Sequence, residues 1–154
     1  MKLLFLGCGN GTEVKRTLEM GHDSWGVTLN PNNSVWAREE LGLWNVYYHD
    51  AHLNPVEWNG SFDGVLGFQF LEHTPSPILL LMEVERILRP GGITYFETPG
   101  PEGFTGGSNL HHVTCPTRTQ AHGWMLKVGF TDIQVEEIGP PDAARHLSIF
   151  GRKT

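Results

Sequence analysis

Three glycines spaced as Gly7-x-Gly9-x-Gly11 stand between a short apolar run, Leu3 to Leu6, and a segment of helical period. A strand that enters such a loop and leaves it as a helix lets backbone approach a ligand closely, because glycine has no Cβ. The same turn aims the unpaired N–H groups of a helix N-terminus at one point, where a carboxylate or phosphate is at home. A tight turn with no ligand uses the same residues, so the triplet alone does not decide between the two. Asp50, in His49-Asp50-Ala51, closes a further apolar run and suits either a ligand contact or a turn that bonds its own backbone. Glu72-His73 follows the run 62–68, and a histidine there can take a proton from a hydroxyl or amine. Thr74-Pro75 and Ser76-Pro77 come directly after it and equally suit a helix start. His111, His112 and Cys115 lie in the Gly- and Pro-rich stretch 99–117, which has no periodicity. A histidine pair with only Cys115 or His122 nearby is not a ligand set of regular spacing, so no metal is expected.

The elements that must hold these groups follow from the apolar pattern. Residues 2–7, 24–29, 44–49, 62–68, 92–97, 130–138 and 146–151 read as strands, and 11–20, 32–41, 77–89 and 117–128 as helices. Pro31 and Pro77 sit near helix starts, and Gly21, Gly42 and Gly129 just past helix ends. In the third helix Leu80, Leu81, Val84, Ile87 and Leu88 share a face, while Glu83, Glu85 and Arg86 lie off it. Trp124 and Phe130 read as a stripe packed on the sheet, and Arg89-Pro90-Gly91-Gly92 as a helix stop and turn. Alternation through the first five strands implies a parallel sheet covered on both faces. The last two strands are joined by residues 139–145, too few for a parallel crossover of about a dozen residues, and are therefore expected to be antiparallel. The expected fold is α/β: a doubly wound, mostly parallel seven-stranded sheet with an antiparallel last strand and helices on both faces.

Composition narrows the class. A chain of 154 residues, 39% hydrophobic, makes one domain of ordinary size. Its net charge of −6, from 17 acidic against 11 basic residues, argues against a surface that tracks nucleic-acid phosphates. The apolar start Leu3 to Leu6 is shorter than the signal-peptide core of about 7 to 15 residues, and the run Ile78 to Met82 is far short of the roughly 20 residues that span a bilayer. Two cysteines distant in sequence form no disulfide framework, so a cytoplasmic setting is expected, with no membrane and no nucleic acid as partner.

Six pieces in order, Leu6-Gly7-Cys8-Gly9-Asn10-Gly11, Gly26-Val27-Thr28-Leu29-Asn30-Pro31, His49-Asp50-Ala51, Phe62-Asp63-Gly64-Val65, Leu71-Glu72-His73 and Arg86-Ile87-Leu88-Arg89-Pro90-Gly91-Gly92, resemble the seven-stranded class I methyltransferases that use S-adenosylmethionine (SAM). The resemblance runs over nearly the whole chain and implies methyl transfer from SAM, leaving S-adenosylhomocysteine, to an acceptor it does not identify; with the acidic charge, a small molecule is expected. By the same analogy Gly7, Cys8, Gly9, Asn10 and Gly11 meet the methionine part of the cofactor, Thr28, Leu29 and Asn30 the ribose, and Asp50 and Ala51 the adenine, with Gly67 completing the set. Gln69, His111 and His112 are expected at the acceptor, and His73 as the catalytic acid–base group.

Two positions depart from the family pattern. Phe5 replaces the acid usual two residues before the first glycine, and Thr28 replaces the ribose-binding acid, although Gly-Val-Thr-Leu-Asn also resembles the cyclopropane fatty acid synthase branch, where threonine stands there with an amide nearby, as Asn30 or Asn33 do here. The Gly-x-Gly-x-Gly spacing and Thr28 disfavour a nicotinamide dinucleotide, which would favour Gly-x-Gly-x-x-Gly and an acid. The motif begins almost at Met1, so residues 1–154 are expected to form one minimal domain without the usual N-terminal helical cap. Its open pocket would be completed by a second copy, a partner subunit, a large acceptor or the stretch 99–117 folding inward. The other reading of these features is a methyltransferase-like binding or regulatory subunit without turnover.

Overall fold

A computed structural model describes residues 1–101, 111–140 and 145–154. Seven strands form one sheet in the order β3-β2-β1-β4-β5-β7-β6. The strands are β1 (Lys2–Leu6), β2 (Asp23–Thr28), β3 (Val46–Tyr48), β4 (Phe62–Phe68), β5 (Leu88–Pro99), β6 (Thr131–Ile138) and β7 (His146–Arg152). Pairings among β1 to β5 are parallel, while β7 runs antiparallel to both of its neighbours, β5 and β6. The expected antiparallel final pair is therefore present, and the sheet is mixed as expected.

Strand alternation builds a core on each face. On β1, Leu4 and Leu6 join the larger cluster with Val65, Phe96 and Ile149, whereas Leu3 and Phe5 join a smaller one with Val46. Helices α3 (Pro77–Ile87) and α4 (Arg118–Val128) bury Leu80, Leu81, Val84, Ile87, Ala121 and Met125 in the larger cluster. Helices α1 (Thr12–Glu19) and α2 (Pro31–Leu41) contribute Val14 and Ala37 to the smaller. By register Leu66, Phe68 and Tyr95 lie on the face of Leu3 and Phe5. There Phe5, Phe68 and Tyr95 form an aromatic row, with ring centroids 6.5 and 5.8 Å apart, and Phe68 is 40% exposed.

The apolar spacing predicts α3 to residue 89 and a plain turn before β5. Instead α3 stops at Ile87, Leu88 is already extended at φ −69°, ψ 140°, and it pairs with Phe62. Pro90 disfavours helical geometry at Arg89, and the extra residues before Ile93 meets Gly64 are taken up as a bulge containing Gly91 at φ +76°. Between β3 and β4 the only helix is a 3-10 turn, Val56–Trp58, whose Trp58 packs edge-on against Phe62 and Trp25.

Candidate functional site

An open cleft of about 1150 Å³ lies at the carboxyl ends of β1 to β4, astride the point where the strand order reverses between β1 and β4. Its floor is the glycine turn. Gly7 (φ +64°) and Gly9 (φ +54°) both line it, and α1 starts just beyond, with Gly11 at φ +84° as its N-cap. A Cβ on Gly9 would meet nothing within 4 Å, whereas on Gly7 it would come 2.4 Å from the Phe70 ring and on Gly11 3.0 Å from Leu43 and Val46. Gly9 is thus the position that opens backbone to the cleft; Gly7 and Gly11 admit neighbouring side chains.

The other residues named from sequence divide by position. Thr28, Leu29, Asn30, Asp50, Ala51, Gln69, His73 and His111 line the cleft with the turn. Cys8, Asn10, Gly11, Gly67 and His112 are not among its lining residues. The Cys8 side chain packs into the smaller core over Gly26, and burial pushes its thiol up to about 12. Asn10 Oδ1 accepts from Thr12 Oγ1 at 2.8 Å. Gly67 leaves room for the Phe96 ring, 2.7 Å from where its Cβ would stand. His112 lies beside His73, ring centroids 5.1 Å apart. Of the stretch 99–117, residues 102–110 lie outside the described residues.

At the β2 end, Thr28 is nearly buried and its Oγ1 accepts from Asn30 N at 3.2 Å. Asn30 caps α2 by accepting from Asn32 N at 3.0 Å. At the β3 end, Asp50 Oδ1 accepts from His52 N and from His52 Nδ1, both at 2.9 Å. These bonds, the backbone one foremost, hold the Asp50 carboxyl below the usual carboxylate range. With Nδ1 donating, His52 Nε2 accepts the Thr74 hydroxyl at 2.6 Å, which ties the β3 loop to the segment after β4. His52 and Phe70 line the cleft and were missed from sequence. The Asp-x-His spacing of an Asx turn was the available signal for His52; Phe70 had none.

At the β4 end, Gln69 takes a left-handed φ of 49°, strained for a residue with a side chain, and its Nε2 lies 3.0 Å from His146 Nδ1. Leu71–His73 forms a 3-10 turn. Glu72 within it is buried, its backbone carbonyl accepting from Val113 N at 2.8 Å and Thr114 N at 3.1 Å and its Oε2 accepting from Thr98 Oγ1 at 3.1 Å. His73 is 42% exposed, with Nδ1 3.0 Å from the His111 carbonyl and Nε2 4.0 Å from Glu72 Oε1. Burial foremost, with the nearby Glu72 charge, raises the Cys115 thiol.

Residues 4–96 match the family model described as a methyltransferase domain. The chain is 31% identical over 101 residues to the ubiquinone biosynthesis O-methyltransferase of Roseobacter denitrificans, an alignment covering 64% of this chain and 41% of that protein. It is 28% identical over 150 residues to the tRNA U34 carboxymethyltransferase of Idiomarina loihiensis, covering 87% of this chain and 46% of that protein. The chain thus spans under half the length of these curated relatives. Its fold matches the crystal structure of a SAM-dependent methyltransferase from Archaeoglobus fulgidus with a TM-score of 0.80 at 18% identity, covering 99% of this chain and 86% of that one.

Proposed function

Because the chain belongs to the methyltransferase domain family, we propose that the cleft binds SAM and that the protein transfers its methyl group to a small-molecule acceptor. The observation that carries this reading is the convergence of Gly9, Asn30 and Asp50 on one cleft at the strand reversal, from three separate stretches of sequence. Gly9 offers backbone to the cofactor's methionine part, with the N-terminal end of α1 beyond it. Thr28 and the amides Asn30 and Asn33 stand where the ribose would be held, and Asp50, kept ionised by His52, where the adenine would be met. When bound, the cofactor's sulfonium supplies a methyl group already activated by positive charge.

What remains for the protein is mainly positioning, which can supply a large share of the barrier reduction. An acceptor hydroxyl or amine must also shed a proton. His73 is suited to hold it, since Nδ1–H donating to the His111 carbonyl leaves Nε2 with the lone pair. The small-molecule class is favoured by the net charge of −6. Among the described residues no helix is long and apolar enough to cross a membrane.

Calorimetric titration with S-adenosylhomocysteine tests the reading. Micromolar binding that Gly9→Arg abolishes, followed by turnover of SAM in an acceptor screen, is the expected result. Binding without turnover on any acceptor would favour a regulatory subunit, and no binding by folded protein would overturn the cofactor assignment.

A further inference from the structure

Glu72, His73 and His112 each bring one ligand-type atom to a common point, all within 4.8 Å of one another. The Glu72 carboxylate is the anchor. Its side chain is 1% exposed and Oε2 is bonded to Thr98, but among the described residues Oε1 has no hydrogen-bond partner. A buried carboxylate oxygen without a partner is costly. What faces it is His73 Nε2 at 4.0 Å, too far to share a proton. With Nδ1–H donated to the His111 carbonyl, the neutral ring presents Nε2 as an acceptor as well. Two acceptors therefore point at one another across a gap that a cation would fill.

We infer that Glu72, His73 and His112 form a binding site for a divalent transition-metal ion such as Zn²⁺, Co²⁺ or Fe²⁺. Two imidazoles and one carboxylate are the donor set such ions take on one side while leaving positions open for a substrate; Mg²⁺ and Ca²⁺ prefer all-oxygen sites. The His73–His111 carbonyl bond is the outer contact usual for a metal-bound histidine, fixing both tautomer and ring. Glu72 itself is fixed by Thr98 and by the two N–H bonds to its carbonyl, which also bring the segment bearing His112 against it. Bound ligands at about 2.1 Å stand roughly 3 to 3.5 Å apart, so a half-exposed His73 has only a small side-chain adjustment to make.

The site opens onto the cleft through His73. Its functional meaning rests on the methyl-transfer reading: an acceptor hydroxyl bound to the ion would release its proton to solvent near neutral pH, and His73 would then be a ligand and not the base. The binding itself is measured without cofactor or acceptor.

The test titrates metal-free protein with Co²⁺, followed by visible d–d absorption, and with Zn²⁺ by calorimetry. One ion per chain is expected, weakened in Glu72→Gln and His112→Asn by at least about 100-fold, the upper end of the loss for an outer contact alone. His122→Asn, on exposed α4 surface, should bind as the parent does. Circular dichroism separates lost ligands from lost fold, and if Glu72→Gln unfolds, His112→Asn alone decides. No binding by folded parent protein, or binding that both variants leave intact, overturns the site. S-adenosylhomocysteine titrated into the same sample reports the cofactor reading separately, so either can fail alone.

Discussion

Gly7 and Gly9 have nearly the same backbone geometry, φ +64° and +54°, yet a methyl group added to each would meet opposite surroundings. In Gly7→Ala it would drive into the Phe70 ring at 2.4 Å, so overpacking adds to left-handed strain, for a loss of about 2 to 3 kcal/mol. Gly9→Ala carries the strain alone, about 1 kcal/mol. Urea unfolding of the two variants checks this, and equal losses would mean that Phe70 moves aside freely. The glycine turn between β1 and α1 was legible from sequence. Which glycine has open space where a Cβ would stand was not, because Phe70 reaches Gly7 from just beyond β4, and no local pattern announces it. Cys8 shows the same limit: it sits in the middle of the motif, but its side chain enters the core over Gly26.

At the scale of elements, α3 does more than cover the sheet. Glu83 accepts from Asn54 N at 2.9 Å, and Arg86 donates to Asn54 O at 3.0 Å while bonding both Glu83 oxygens, so the pair clasps the loop between β3 and β4. Burial raises the Glu83 carboxyl, but the Arg86 and Asn54 bonds outweigh it and leave its pKa lowered. A lowered folded-state pKa contributes stability above the unfolded value of about 4.3 that is lost as pH falls through the folded one. Arg86→Ala should cost about 1 to 2 kcal/mol at neutral pH, the side chains being partly exposed, and the gap from the parent should narrow below about pH 4. Unfolding curves at the two pH values decide it; a gap that is independent of pH would remove Glu83 from the account. The amphipathic stripe of α3 was plain from its spacing, whereas this clasp was not, since Glu83 and Arg86 read simply as the polar face. The start of β5 escaped for a like reason: Leu88 is extended because β4 pairs with it, and that pairing lies outside any local window.

The whole molecule is unevenly covered. Phe62 is fully buried against Trp25 of β2 and Trp58 of the 3-10 turn, while Phe68, on the same strand, stays 40% exposed. Phe62→Ala should cost about 3 to 5 kcal/mol, and Phe68→Ala well under half of that, by chemical denaturation. Near-equal losses would mean that something covers Phe68 in solution. Strand order has a consequence of another kind. β7 lies between β5 and β6, so β6 reaches the sheet only through a strand that follows it in the chain. The β5 edge gains no further strand until β7 docks, and β6 joins the sheet only through that event. Closure of this edge is thus a late, non-local step of folding, and until it happens the nascent sheet presents an unpaired strand from which misassembly can start.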